Sequence, residues 1–271
     1  MAMVSGQEIS VAAPPAKGLP PDARVELEQA VAILEGISLP VRLAAMVGGT
    51  VEGLKRRLPA AIQRGLDGAI TGALEAAARA ALRSDPARTP GGLPHAWFHR
   101  GIIAASGMAG GALGLPGTLL ELPVSTTLLL RQIAAIAAEQ GEDLSRPAGA
   151  AECLKVFALG GRDPADDAAE SGYFALRLAL AETLHAAAGR GVTTLLPGFI
   201  SAVASRFGLP VAVKLSAQLA PVVGAATGAA VNLAFLEHFR GLAGAHFTIR
   251  RLERVHGQAP VRRAYEAIRA G

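Results

Sequence analysis

Cysteine is almost absent from this sequence. Cys153 stands alone, which excludes a disulfide framework and a clustered thiolate metal site. Aromatic residues make up only 4% of the chain, so large rings cannot fill most of the interior. Charged residues reach only 18%, below the roughly 25% of an average soluble domain. No segment alternates apolar and polar residues with β-branched enrichment, so strands are not expected. The start lacks a basic stretch followed by an apolar core, so no secretory signal is expected and a reducing, cytoplasmic compartment is the simplest reading. Several catalytic patterns are missing as well. There is no H-E-x-x-H, no G-x-S-x-G, and no glycine spacing of the phosphate-loop or dinucleotide kind.

Small apolar residues take their place. Half of the chain is apolar (51%) and 32 residues are glycine, so the interior must depend on close backbone approach. The pattern predicts an all-α fold: one bundle of about eight to ten helices over residues 22–271, after a disordered tail at 1–21 rich in Pro14, Pro15, Pro20 and Pro21. Ile62, Leu66, Ile70, Leu74, Ala78 and Leu82 recur every four residues and mark one face of an amphipathic helix. Further helices are expected after Pro40, from Pro147 to Gly160, from Asp163-Pro164 to Gly189, over Phe199–Phe207, around Thr248–His256 and over Pro260–Arg269.

Two charge-poor runs dominate the middle. Gly101–Leu120 is uncharged and holds six glycines, with Gly107/Gly111 and Gly110/Gly114 four apart. Leu215–Leu236 is also uncharged and holds Gly224/Gly228, with Pro221 as a kink. Glycines four apart share a helix face and admit a second backbone, so both runs are expected as central packed helices. As bilayer spans they are marginal. Strong apolar residues contribute only about −0.3 to −0.6 kcal/mol each to insertion, and extension of either run meets Glu121 or Glu237.

The positive charge is concentrated at one end. From Arg240 onward there are seven arginines against two glutamates. Ile249, Leu252 and Val255 lie three apart, with Arg250, Arg251 and Arg254 largely on the other side. This describes either a cap on the bundle or a short basic helix resting on an anionic lipid surface. Nucleic acid is not an expected partner, because Tyr265 is the sole aromatic after Phe247.

Polar groups inside apolar helices are the best site candidates, since burial penalises them unless they are satisfied. Glu121, Arg131, Asn232, Glu237, His238 and His246 form this set. A buried network joining Glu121 or Arg131 to Asn232 and His238 is expected to fix the register of the two glycine-rich helices. A ligand or catalytic site built from Glu121, His238 and His246, most plausibly a hydrolase or a metal-dependent enzyme, is the alternative. No metal or other cofactor is expected: His238 and His246 sit about 80° apart around a helix, and the acidic group Asp163, Asp166, Asp167 and Glu170 suits a helix start.

Pro221 to Asn232, then Phe235, His238-Phe239, Ala245-His246-Phe247, Arg250 to Arg254 and Tyr265 form a pattern with upstream Gly107–Gly117, Glu121-Leu122-Pro123, Arg131 and Gly141. In this combination, from about Trp97 to Tyr265, the chain resembles the EcsC family of bacterial proteins. The family's usual Asp-Leu-Pro is Glu-Leu-Pro here. The resemblance implies association with membranes or with a membrane partner such as an ABC transporter, and it implies no reaction. The expected function is therefore a cytoplasmic or membrane-peripheral helical protein that binds an apolar ligand, a lipid surface or a membrane partner through a cleft beside the glycine-rich helices. A structural or assembly role without a ligand is a further alternative.

Overall fold

The computed structural model describes residues 18–46, 48–51, 53, 56, 60–81, 101–102, 105, 114–161, 172–188, 197–218 and 224–271. Among these, nine helices form and there is no strand, so the fold is an all-α multi-helix bundle. The helices are α1 (Pro21–Leu34), α2 (Leu39–Met46), α3 (Ala60–Ala81), α4 (Gly114–Glu139), α5 (Pro147–Leu159), α6 (Tyr173–Ala188), α7 (Pro197–Gln218), α8 (Gly224–His256) and α9 (Gln258–Ala270).

Helix α3 follows its sequence stripe. Leu66, Ile70, Leu74 and Ala78 are buried, while Gly65, Asp67, Gly68 and Gly72 face outward. Ile62 and Leu82 lie outside the residues whose side chains are described. The buried face rests chiefly on α4 and α7. Helix α8 has 33 residues, about 50 Å at 1.5 Å per residue, and touches α1, α2, α4, α5, α7 and α9. Its buried residues Val231, Phe235, Leu236, Phe239, Leu242, Ala243, Phe247, Ile249 and Leu252 extend around more than one face, as expected of a central helix. The scarce aromatics are concentrated against it. Phe157 of α5 meets Phe207 of α7 at 4.8 Å and Phe239 of α8 at 5.4 Å between ring centroids, in the edge-on and tilted geometries that ring quadrupoles favour.

Helices α4 and α8 contact each other, but the close glycine approach expected between them lies outside the described residues. Gly107, Gly110 and Gly111 are not described, and Gly114 and Gly224 are the first residues of their helices. Gly228 is buried. The expectation of a capped start at Asp163-Pro164 also falls outside, as does residues 1–17 of the expected tail.

Several boundaries differ from those expected. Gly172 lies outside a helix and α6 begins at Tyr173, within the stretch expected to be one helix from Asp163 to Gly189. The helix placed at Phe199–Phe207 continues to Gln218 through Pro210. Proline removes the N–H that Arg206 C=O would accept within the helix. Gly161, in the turn after α5, packs its backbone against that same carbonyl, so a neighbouring segment covers the defect. The helix placed at Thr248–His256 is the end of the unbroken α8. The run Leu215–Leu236 is correspondingly divided between α7 and α8 rather than forming one kinked helix.

Candidate functional site

Among the described residues, the chemistry-bearing side chains gather in buried polar clusters and surface grooves. The first cluster joins α4, α7 and α8. Glu121 accepts from Asn232 Nδ2 at Oε1 and from Lys214 Nζ at Oε2, both at 2.9 Å. Lys214 also lies 3.5 Å from Ser125 Oγ and 5.3 Å from the centroid of the Phe235 ring. All four polar residues are buried. Burial alone would raise the Glu121 carboxyl, but the Lys214 charge and the hydrogen bonds from Lys214, Asn232 and Ser125 outweigh it and hold it below the ordinary range. The group is a carboxylate at neutral pH, fully occupied by protein donors.

The second cluster ties the end of α8 to α5, α6 and the turn after α4. That turn depends on Gly141, whose φ of +78° is left-handed. Glu142 N–H reaches back to Ala137 C=O at 2.9 Å and Gly141 N–H to Ala138 C=O at 3.0 Å, a glycine-terminated helix end that leaves the Glu142 carboxylate beside α8. Arg250 donates to both Glu142 oxygens at 2.7 and 3.1 Å. Arg250 also lies 3.3 Å from Glu152, and Arg254 adds a further bond to Glu142. Burial raises Glu142, and the two arginines more than reverse it, leaving the carboxyl lowered.

At the centre of this cluster, His246 has no exposed surface. Its Nε2 faces Glu152 Oε2 at 3.1 Å and its Nδ1 faces Tyr173 Oη at 2.8 Å. Burial lowers the imidazole despite the neighbouring carboxylate, so the ring is neutral. Nε2–H then donates to Glu152, and Tyr173 donates its hydroxyl to Nδ1. Glu152 is held well below the carboxylate range: burial opposes this, but His246, Lys155 and Arg250 prevail. Burial pushes the Tyr173 phenol up, which suits a hydrogen-bond donor and not a proton acceptor. Lys155 Nζ bonds Glu152 Oε1 at 2.8 Å. Arg177 pairs both guanidinium ends with Glu253 at 2.8 Å and lies over the Tyr173 and Phe174 rings at 5.3 and 5.5 Å.

A groove of about 450 Å³ opens beside this cluster. Its charged wall includes Lys155, Arg177, Arg262, Glu152 and Glu253; its apolar wall includes Phe174, Leu178, Ala181 and Ala259. A second groove, about 410 Å³, lies between the α1–α2 elbow and α8, where Ile33, Ile37, Arg42, Glu237 and His238 meet. His238 is half-buried there, and burial, helped by the Arg42 charge, pushes its imidazole down to about 4. Glu237 is exposed and lies 3.8 Å from Arg240.

The structure thus brings Glu121 and Asn232 together and leaves His238 out of their network. Arg131 is half-buried elsewhere along α4. Among the described residues, Glu121, His238 and His246 fall in three different surroundings: Glu121 with Lys214 and Asn232, His238 in the groove at the α1–α2 elbow, and His246 between Glu152 and Tyr173. The presumed basic surface is also engaged. Arg250 and Arg254 bind Glu142, while Arg251 binds Gln140 at 2.9 Å and Glu26. Ile249 and Leu252 point into the core, and Val255 is exposed. The segment caps the bundle.

Sequence reasoning missed Lys214, Glu152, Lys155, Glu142, Tyr173 and Arg177. Lys214 carried a readable signal: it is the sole charge between Arg206 and Glu237, the same isolation that singled out Glu121. Glu152 and Lys155, three apart in an otherwise apolar helix, were legible in the same way.

A family model for the EcsC protein family matches residues 93–252, more than half of the chain, and the protein belongs to that family. No curated protein matches the chain. No solved structure matches it.

Proposed function

We propose that this member of the EcsC family is a membrane-peripheral binding protein that rests on a lipid surface through the α1–α2 elbow. The observation that carries this reading is the exposure of large apolar side chains there: Ile37 at 70%, Met46 at 50% and Ile33 at 45%. From Gly36 to Val51 the only charge is Arg42, which is exposed and suits an anionic headgroup. Helices α1 and α2 together meet the length and hydropathy criterion for a bilayer span, yet they are bent by 54° and keep Leu27, Val31, Leu34, Leu39 and Leu43 buried in the bundle. The outer face of α1 ahead of the elbow is charged, with Asp22, Arg24 and Glu28 exposed, so only the apolar stretch from Ile33 to Met46 is suited to lipid, which fits shallow contact rather than crossing.

The other span candidate, Gly198–Ser216, carries the buried Lys214, paired with Glu121 of α4, and much of the core, and serves the bundle. Each large apolar side chain at the elbow contributes about 1–2 kcal/mol on leaving water, and Arg42 about 1 kcal/mol near an anionic surface. These magnitudes give reversible binding. Flotation with phosphatidylglycerol and phosphatidylcholine vesicles tests the proposal. The parent protein should float, preferentially with the anionic vesicles. Ile33→Glu/Ile37→Glu should lose most of the bound fraction, while Val255→Glu, at the far end of α8, should retain it. Failure of the parent to float, or equal flotation of both variants, overturns the reading.

A further inference from the structure

Charge is compensated in one groove and not in the other. Beside α6 and α9, the lining cations Lys155, Arg177 and Arg262 each have a carboxylate, in Glu152, Glu253 and Glu266. At the α1–α2 elbow the lining carboxylate, Glu237, faces Arg240 at 3.8 Å, and Arg240 does not line the groove. The lining cation, Arg42, is exposed and has no ion-pair partner among the described residues. With Glu237 set against Arg240, the uncompensated charge at this groove is that of Arg42 itself.

His238 brings a second unused group. Among the described residues its ring makes no hydrogen bond, and its nitrogens keep contact with solvent. Burial and the Arg42 charge keep the imidazole neutral at neutral pH, so it presents one N–H donor and one acceptor. The rim is apolar, formed by the exposed Ile33 and Ile37. A phosphodiester fits this combination. It carries one negative charge, against one unpaired guanidinium. Its two free oxygens accept from Arg42 and from the His238 N–H, both favourable bonds to an anion. Its two ester arms diverge, one toward a polar group in the groove and one toward acyl chains over the rim. Glu237, already facing Arg240, is an acceptor for a hydroxyl rather than a counter-charge for an ammonium. The groove, about 410 Å³, is of the size that small ligands fill.

We propose that the elbow groove seats the headgroup of one anionic glycerophospholipid with a hydroxylated headgroup, its phosphodiester between Arg42 and His238, its hydroxyl at Glu237 and its acyl chains over Ile33 and Ile37. The assignment to a lipid rests on the elbow being the lipid-facing end. It adds a defined subsite to what would otherwise be a diffuse attraction between a surface and one arginine.

Isothermal titration of the full chain with dihexanoyl phosphatidylglycerol, kept below its micellar concentration, tests the subsite apart from any vesicle surface. Binding should saturate at one-to-one stoichiometry and shift the His238 ring resonances of protein labelled on its histidine ring carbons. Dihexanoyl phosphatidylcholine and glycerol phosphate should each bind about tenfold more weakly or less. Arg42→Gln and His238→Leu should each weaken binding by about tenfold or more, the loss expected of a hydrogen bond to a charged group. His238→Gln, which keeps an N–H donor, should stay within about threefold of the parent, and Leu178→Asp, in the other groove, should bind as the parent does. Equal binding of the phosphatidylcholine removes the charge requirement, and equal binding of glycerol phosphate removes the lipid. Either result overturns the proposal, as does an unchanged His238→Leu, a His238→Gln as weak as His238→Leu, or a loss in Leu178→Asp. A parent that floats with vesicles but takes up no soluble lipid loses this subsite and keeps the elbow reading; a parent that fails to float overturns that reading and the lipid assignment with it.

Discussion

Asn232 donates its side-chain amide to Glu121 across the contact between α8 and α4 at 2.9 Å, while Lys214 of α7 holds the second carboxylate oxygen at the same distance. Three helices are thereby fastened at one buried carboxylate. A buried ion pair is weak evidence for net stability, because desolvation of both charges offsets their attraction. Its removal by halves is another matter. In Glu121→Leu the Lys214 ammonium stays buried without its counter-charge, and a loss of about 3–5 kcal/mol is expected. Glu121→Leu/Lys214→Met removes both charges and should be closer to the parent than either single variant, short by about 1–3 kcal/mol for the stranded Asn232 amide. Urea unfolding of the four proteins as a double-mutant cycle measures this coupling. A double variant whose loss equals the sum of the singles shows that the pair does not act as a unit.

The parts of this arrangement that sequence revealed were those with a local signature. The four-residue stripe of α3 is visible because one helix face alone decides it. Glu121 and Asn232 stood out because each interrupts an apolar stretch, and burial penalises such interruptions unless they meet. In the His246 cluster the same signature marks single residues, Glu152 and Lys155 in their apolar helix, but not which of them meet. His246 is 94 residues from Glu152 and 73 from Tyr173, and periodicity carries no information at that separation. Helix length failed for a different reason. Gly241 and Gly244 lie inside α8, where each costs about 1 kcal/mol of propensity, and burial around more than one face of that helix outweighs them. The arginines near the end left a cap and a lipid-facing helix both open, because their acids, Glu26, Glu142 and Glu152, are remote in sequence.

Glycine supplies the second prediction, because the two uses of it here are opposite in sign. Gly161 lies against the Arg206 carbonyl that Pro210 leaves without its helical donor, and an added Cβ would overlap that backbone atom. Backbone cannot rotate aside as a side chain can, so Gly161→Ala forces α5 and α7 apart. A loss of about 1–3 kcal/mol is expected, as for other overpacked interiors. Gly68 lies on the outer face of α3 with open space where a Cβ would stand, so Gly68→Ala should stabilise by about 0.5–1 kcal/mol through helix propensity. Thermal unfolding of both variants checks the pair. An innocuous Gly161→Ala would mean that the α5 turn and α7 do not make this close approach.

Acid should weaken the fold before its carboxylates titrate, and His238 is one cause. Its imidazole is pushed down to about 4 in the folded protein by burial and by Arg42, against about 6.5 in an unfolded chain. Below about pH 6.5 the unfolded chain therefore takes up a proton that the native protein refuses, and protons favour the state that binds them. Stability is complete above the unfolded value and falls as pH is lowered from about 6.5 toward about 4, by up to about 1.4 kcal/mol per pH unit for one such group. His246, also lowered by burial, acts in the same direction. Glu121 and Glu142, held below the ordinary carboxylate range, extend the loss to more acid conditions, where they must be protonated against their partners. His238→Gln removes the first contribution alone. Its unfolding free energy between pH 6.5 and 4.5 should decline less steeply than the parent's, while the two profiles should run parallel at lower pH. Urea midpoints taken at half-unit intervals resolve the difference. Parallel profiles over the whole range would show that the His238 ring is hydrated and that the α1–α2 elbow does not close over it.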